Sequence, residues 1–217
     1  MLHIIDKQVS IVNKFLAELR DKKIQKDSMR FRRNLERIGE CMAYEISKQL
    51  NYTPREVETP LATATVESIS DEVVLATILR AGLPLHQGIA NYFDNSDNAF
   101  ISAYRSGVEN GEVMIKVEYI SCGSLEGKTL ILADPMLASG TSMVAAYEAL
   151  CKRGGKPAKT HIVSVVACPE GVDYVLSHTN EEEVDLWCAT VDDYLNSHKY
   201  IVPGLGDAGD LCFGEKL

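Results

Sequence analysis

An α/β protein with a mostly parallel central sheet flanked by helices is the fold that the sequence predicts, on three observations. Five short β-branched or apolar runs succeed one another: VVLATIL (73–79), AFISAY (99–104), KTLILAD (128–134), THIVSVVAC (160–168) and VDLWCATV (184–191). Several are separated by segments of helical character, an alternation that folds as strands of one sheet with helices on its faces. Ahead of the runs, apolar residues recur at helical spacing, as in Phe31, Leu35, Ile38, Met42 and Ile46.

Taken in order, residues 8–20 and 28–50 read as two N-terminal helices. The stretch NYTPREVETPL, with prolines at 54 and 60, breaks that periodicity and opens a polar, β-favouring segment through Ile69, a strand or an arm. The sheet strands follow. In folds of this class the ligand lies outside the carboxyl ends of the strands, so the segments after each run matter most: RAGLP, RSG, DPMLASGTS, PEG and the later YIVPGLGDAGD. SGVENGE, with Asn110-Gly111 at its centre, reads as a hairpin tip within a flap over residues 106–120.

The 217 residues fit one globular unit, 1–217, large enough to bury a sizeable core. Hydrophobic residues at 46% and charged residues at 24% exclude wholesale disorder and fibrous repeats. No apolar run approaches the roughly eighteen residues of a membrane span, and the start MLHIIDKQVS lacks a secretory core, so a cytoplasmic protein is expected. The six cysteines form no C-x-x-C pair and read as reduced, mostly buried thiols; the histidines show no ligand spacing, and no protein-built metal site is expected. A net charge of −9 argues against broad nucleic-acid binding. The early basic run DKKIQKDSMRFRRNLER reads as a solvated helix face or as a regulatory or intersubunit anion site.

Two glycine motifs mislead. GLGDAG (204–209) spells a dinucleotide fingerprint, but only eight residues follow Gly209, too few for the βαβ unit such a motif opens. GSLEGKT (123–129) has three residues between its glycines where a P-loop has four, and it precedes a strand; Gly127 reads as a turn.

DPMLASGTS is different, because it joins the buried run KTLILAD to the helix-favouring MVAAYEALCKR. A helix start offers unpaired N–H groups and the positive end of its dipole; Ser139, Thr141 and Ser142 add O–H donors, and Gly140 permits close approach. A phosphate monoester is the natural occupant. Plain helix capping would account for one hydroxyl and leave three around a glycine unexplained.

ILADPMLASGTS (131–142) resembles the binding motif of type I phosphoribosyltransferases, which take 5-phosphoribosyl 1-pyrophosphate (PRPP) as sugar donor. Many members carry two adjacent acids there; Ala133-Asp134-Pro135 departs from that pattern, and D-P-M-L-A-[TS]-G is the form of the uracil branch. ILRAGLP (78–84), Tyr104-Arg105, PEG (169–171) and YIVPGLGDAGD (200–210) extend the resemblance over essentially the whole chain. It implies N-terminal helices, a β-arm or flap and a C-terminal hood around the sheet.

The resemblance also implies roles. Asp134 would hold the ribose hydroxyls, Pro135, Met136 and Leu137 would continue the PRPP loop, and Ala138, Ser139, Gly140, Thr141 and Ser142 would hold the 5′-phosphate. Arg80 and Arg105 would face the pyrophosphate, where guanidinium groups stabilise the departing charge. Main-chain groups of Ile201, Gly206 and Ala208 would read uracil, with Asp207 near the ribose and metal shell and a candidate for assisting N1 deprotonation. Mg²⁺ would be held mainly through PRPP. The implied reaction is uracil plus PRPP giving UMP and diphosphate, a step of pyrimidine salvage, in a homodimer or higher homo-oligomer that some relatives regulate with GTP. A purine or orotate acceptor, an RNA-binding regulator on the same fold and a catalytically dead binding protein are the alternatives.

Overall fold

The computed structural model describes residues 1–109 and 112–216, and the side chains at 104–109 and 112–115 also fall outside the description. The first strand, β1 (Leu2–Ile4), was not legible in the sequence, being too short to show a period. Helix α1 (Ile11–Arg20) starts at a capping box: the Ser10 hydroxyl accepts from the Val12 amide and the Asn13 side chain accepts from the Ser10 amide. Helix α2 (Ser28–Ser47) is capped by Asp27 and buries Phe31, Leu35, Ile38, Met42 and Ile46, the stripe that its sequence spacing predicts.

Strands β2 (Tyr52–Glu58) and β3 (Thr63–Ile69) pair antiparallel as a separate, exposed ribbon. The strand-or-arm segment is thus an arm. Chain order then gives β4 (Val73–Leu79), α3 (Gly82–Ala90), β5 (Asp97–Glu109), β6 (Glu112–Ser121), β7 (Thr129–Ala133), β8 (Met136–Leu137) and α4 (Thr141–Gly154). It continues with β9 (Lys159–Ala167), α5 (Pro169–Ser177), β10 (Val184–Val191), β11 (Tyr194–Leu195), β12 (Ile201–Val202) and α6 (Ala208–Phe213). Strands β5 and β6 form the hairpin expected around 106–120, longer than read from sequence; its tip, Asn110-Gly111, lies outside the described residues.

The main sheet runs β1-β10-β9-β7-β4-β5-β6, with β8 also pairing β9. All neighbours are parallel except β5 and β6. Both faces are covered, which is why the strands read as near-continuous apolar runs. Strand parity separates the two cores. Leu75, Ile131, Val163 and Trp187 point to the side of α1, α2 and α3, whereas Val74, Ala76, Leu130, Leu132 and Ile162 point to α4 and α5.

From β4 the chain steps outward to β5 and β6, and from β7 it steps the other way to β9 and β10. The order reverses between β4 and β7, and a crevice opens at the carboxyl ends of strands there. The segments after those two strands begin with Arg80 and Asp134.

Among the described residues, no helix is long and apolar enough to cross a membrane, and Cys168, Cys188 and Cys212 are buried free thiols. Leu132 is fully buried in the central strand β7. Leu132→Ala should cost about 2–5 kcal/mol of unfolding free energy in urea titration, while Leu61→Ser at the exposed arm tip should stay within about 0.5 kcal/mol of wild type.

Candidate active site

The loop Asp134–Ser142 is locked before it reaches the crevice. Pro135 is buried, and its carbonyl accepts from the amides of Val165 (3.1 Å) and Val166 (2.9 Å) of β9. Met136 and Leu137 pair with β9 as β8, and the Leu137 carbonyl accepts from the Cys168 amide. The Pro135 main chain is therefore spent on the sheet; Met136, Leu137 and Ala138 line the cavity beside it.

Gly140 ends the loop at φ 79°, and no side chain caps the helix that starts after it. A Cβ there would stand 2.8 Å from the Gly171 carbonyl and 3.0 Å from the Tyr174 ring, so α5 is packed hard against the loop. Only glycine meets both demands. The PEG segment at the start of α5 is accordingly a support under the loop. Ser139 Oγ and Thr141 Oγ1 lie 2.9 Å apart. The amino end of α4 thus has its hydroxyls gathered and its first amides unclaimed by any capping side chain, the arrangement suited to an anion. A small cavity of about 160 Å³ sits over it, lined in part by Asp134, Ser139, Gly140 and Ser142.

Asp134, Met136, Ala138 and Ser142 also border a larger cleft of about 470 Å³. Its opposite wall is Tyr200, Ile201, Gly206, Asp207, Ala208 and Gly209, and Arg80 closes one end. The predicted donor and acceptor segments, distant in the chain, therefore share one cavity. Thr141 begins α4 next to it. Arg105 lies on β5, and its side chain is outside the described residues.

The Asp134 carboxyl reaches the cleft but is enclosed by protein on its other sides. Burial pushes it up to about 7, only partly offset by the Met136 amide, which donates to Oδ1 at 3.2 Å. Arg80 Nη2 lies 3.2 Å from Asp210 Oδ1 and donates more weakly to the Gly214 carbonyl. The peptide bond before Arg80 is cis. Asp207 caps α6, accepting from the Asp210 amide at 3.0 Å. Ile201 sits in β12, and Gly206 has φ 93°.

The sequence reading missed His198 and Lys199, which line the cleft just before the tail motif. Lys199 adopts φ 61° and reaches Glu170 of α5 at 3.1 Å. A lysine in a polar turn carries no local signal of either property. The arginines of the basic N-terminal run are engaged within the chain: Arg30 pairs with Glu18, Arg33 with Glu36, Arg32 donates to the Cys212 carbonyl and Arg37 to the Asn34 side chain.

A family model described as uracil phosphoribosyltransferase matches residues 7–215. The chain belongs to the uracil phosphoribosyltransferase family. A relative of that name from Porphyromonas gingivalis is 50% identical over 208 residues, covering 96% of this chain and 95% of its own. Another, from Methanothermobacter thermautotrophicus, is 39% identical over 217 residues, covering 99% and 96%. Among solved structures, the AQ2163 protein from Aquifex aeolicus superposes with a TM-score of 0.86 at 27% identity, covering 99% of this chain and 98% of that one.

Burial of the Asp134 carboxyl makes the stability of the fold depend on pH. Between the ordinary carboxyl value of 3.8 and about 7, the folded chain keeps a proton that the unfolded chain has lost, so stability falls as pH rises through that window. Asp134→Asn removes the titration. In ligand-free, Mg²⁺-free protein its melting temperature should exceed that of wild type by a margin that widens from pH 5 to pH 7 and then levels off.

Proposed function

We infer that this chain transfers the 5-phosphoribosyl group of PRPP to N1 of uracil, giving UMP and diphosphate, as a pentosyltransferase of pyrimidine salvage. The observation that carries the reading is one cleft bordered by the donor loop Asp134–Ser142, by Arg80 and by the acceptor loop Ile201–Ala208, in a chain that matches the family over residues 7–215.

In this reading the 5′-phosphate occupies the amino end of α4, where backbone amides, the helix dipole and the hydroxyls of Ser139, Thr141 and Ser142 meet its charge. Asp134 accepts from the ribose hydroxyls. Arg80 exchanges its Asp210 partner for the diphosphate, and Arg105 joins it there. The N1–C1′ bond forms on one face of the ribose as the bond from C1′ to the diphosphate oxygen breaks on the other. The electron pair leaves with diphosphate, and the N1 proton passes to Asp207 or to solvent. No covalent enzyme intermediate is required, so catalysis is positioning and charge stabilisation.

The enclosed carboxyl of Asp134, which borders the cleft together with Asp207, fits a divalent ion, and these two residues would face one carried in by the donor. When bound, Mg²⁺ neutralises charge on PRPP and favours departure of diphosphate. Main-chain groups of Ile201, Gly206 and Ala208 read the base. Because backbone donors and acceptors cannot change type, cytosine would leave one unpaired.

Labelled uracil with PRPP and Mg²⁺ should yield UMP, and cytosine, purines and orotate should yield little; UMP-free mixtures would refute the assignment. Asp134→Asn and Arg105→Ala should each lower turnover by at least about tenfold, and full activity in either variant would remove that residue from the mechanism. The same reading includes a homo-oligomer and a GTP effector. Sedimentation of the chain with and without GTP tests both, with a species larger than 23.9 kDa expected and a further shift on adding nucleotide.

A further inference from the structure

The acceptor loop is a poor candidate for rigidity on its own. Pro203–Gly206 contains two glycines at positive φ, 57° at Gly204 and 93° at Gly206, and glycine loses the most conformational freedom when ordered. Main-chain groups can discriminate a base only if they are held in place, since small displacements at a reacting or reading group carry large penalties. Something must hold this loop from behind.

Two N-terminal residues do so. Arg20, the last residue of α1, forks onto Asp192, with Nη1 2.8 Å from Oδ2 and Nη2 against Oδ1. The same Nη1 donates to the Gly204 carbonyl at 3.0 Å, and Asp192 Oδ2 accepts from the Gly204 amide at 2.8 Å. Both main-chain groups of Gly204 are thereby claimed by one ion pair. The Asp192 side chain is only 5% exposed and that of Arg20 25%. Gln25 Nε2 spans the Leu19 and Leu205 carbonyls at 2.8 and 3.0 Å. Farther on, Arg32 holds the Cys212 carbonyl at the end of α6. None of these residues lines the cleft.

We propose that Arg20 and Asp192, seconded by Gln25, are positioning residues that set the affinity and base selectivity of the acceptor site through Gly204 and Leu205. The inference rests on the reading of 201–208 as the uracil site. It gives the N-terminal helices a task in the reaction: they are the back wall against which the loop is set. The geometry needs a planar fork that binds a carboxylate with two nitrogens and still reaches a carbonyl, which a lysine ammonium cannot reproduce. The donor loop is built on β7, β9 and α5, whereas the side-chain bonds of Arg20 and Gln25 go to Asp192, Gly204, Leu19 and Leu205.

A merely structural role would lower stability and leave the kinetic constants of the folded fraction alone. Steady-state kinetics on Arg20→Lys and Gln25→Ala, varying each substrate at saturating levels of the other, separate the two. Uracil KM should rise at least about fivefold in Arg20→Lys and about two- to threefold in Gln25→Ala, with PRPP KM within about twofold of wild type. The preference for uracil over cytosine should narrow in both. If Arg20→Lys does not fold, Gln25→Ala, which leaves no buried charge behind, decides alone. Folded variants with wild-type uracil KM, or with both KM values raised alike, overturn the inference; a wild-type enzyme inert towards uracil overturns the assigned function and the inference with it.

Discussion

The structure turns on the amino end of α4 being left without a side-chain cap. Helix starts of this kind normally borrow an oxygen from a neighbouring side chain, and here Gly140 can lend none. Its positive φ turns the chain so that the first amides and the gathered Ser139 and Thr141 hydroxyls face a cavity. The conformation is held by its surroundings: β9 grips Pro135 and β8 on one side, and α5 fills the space where a Cβ would stand on the other. An unpaired donor array is costly in isolation. Its retention in a packed environment is what an anion site requires.

The rest of the cleft compensates for an acidic chain. With 31 acids against 22 basic residues, the long-range field repels an anionic donor. Attraction is therefore local. Arg80 is kept at the cleft by Asp210, and the helix dipole of α4 points into the small cavity. Asp134 adds the opposite demand, a carboxyl at the cleft that burial pushes up to about 7.

The two halves of the cleft are built differently. The half bordered by Asp134–Ser142 is part of the sheet itself, its loop carbonyls and amides absorbed into β9. The half bordered by Ile201–Ala208 is a short hairpin, β11 with β12, followed by a glycine-rich turn and a six-residue helix, elements too small to be stable alone. They are tied to α1, to the segment between α1 and α2, and to α2 by Arg20, Gln25 and Arg32. Lys199, paired with Glu170, ties the same hood to α5 and so to the donor loop.

How much of this was legible in the sequence follows from distance along the chain. The sheet strands, the α2 stripe, the arm and the anion-suited character of Asp134–Ser142 were legible from local periodicity, turn residues and short motifs, and the part assigned to Ile201–Ala208 from family resemblance. The burial of Pro135, the support given by PEG, the strand β1 and the cleft positions of His198 and Lys199 were not. Least legible was the Arg20–Asp192–Gly204 bracket, whose members are separated by as many as 184 residues. By itself the sequence determined the fold class and the chemical character of the two loops, because those depend on neighbours in the chain. Only the tertiary structure decided which residues immobilise them, because those contacts are made by side chains whose partners no local pattern specifies.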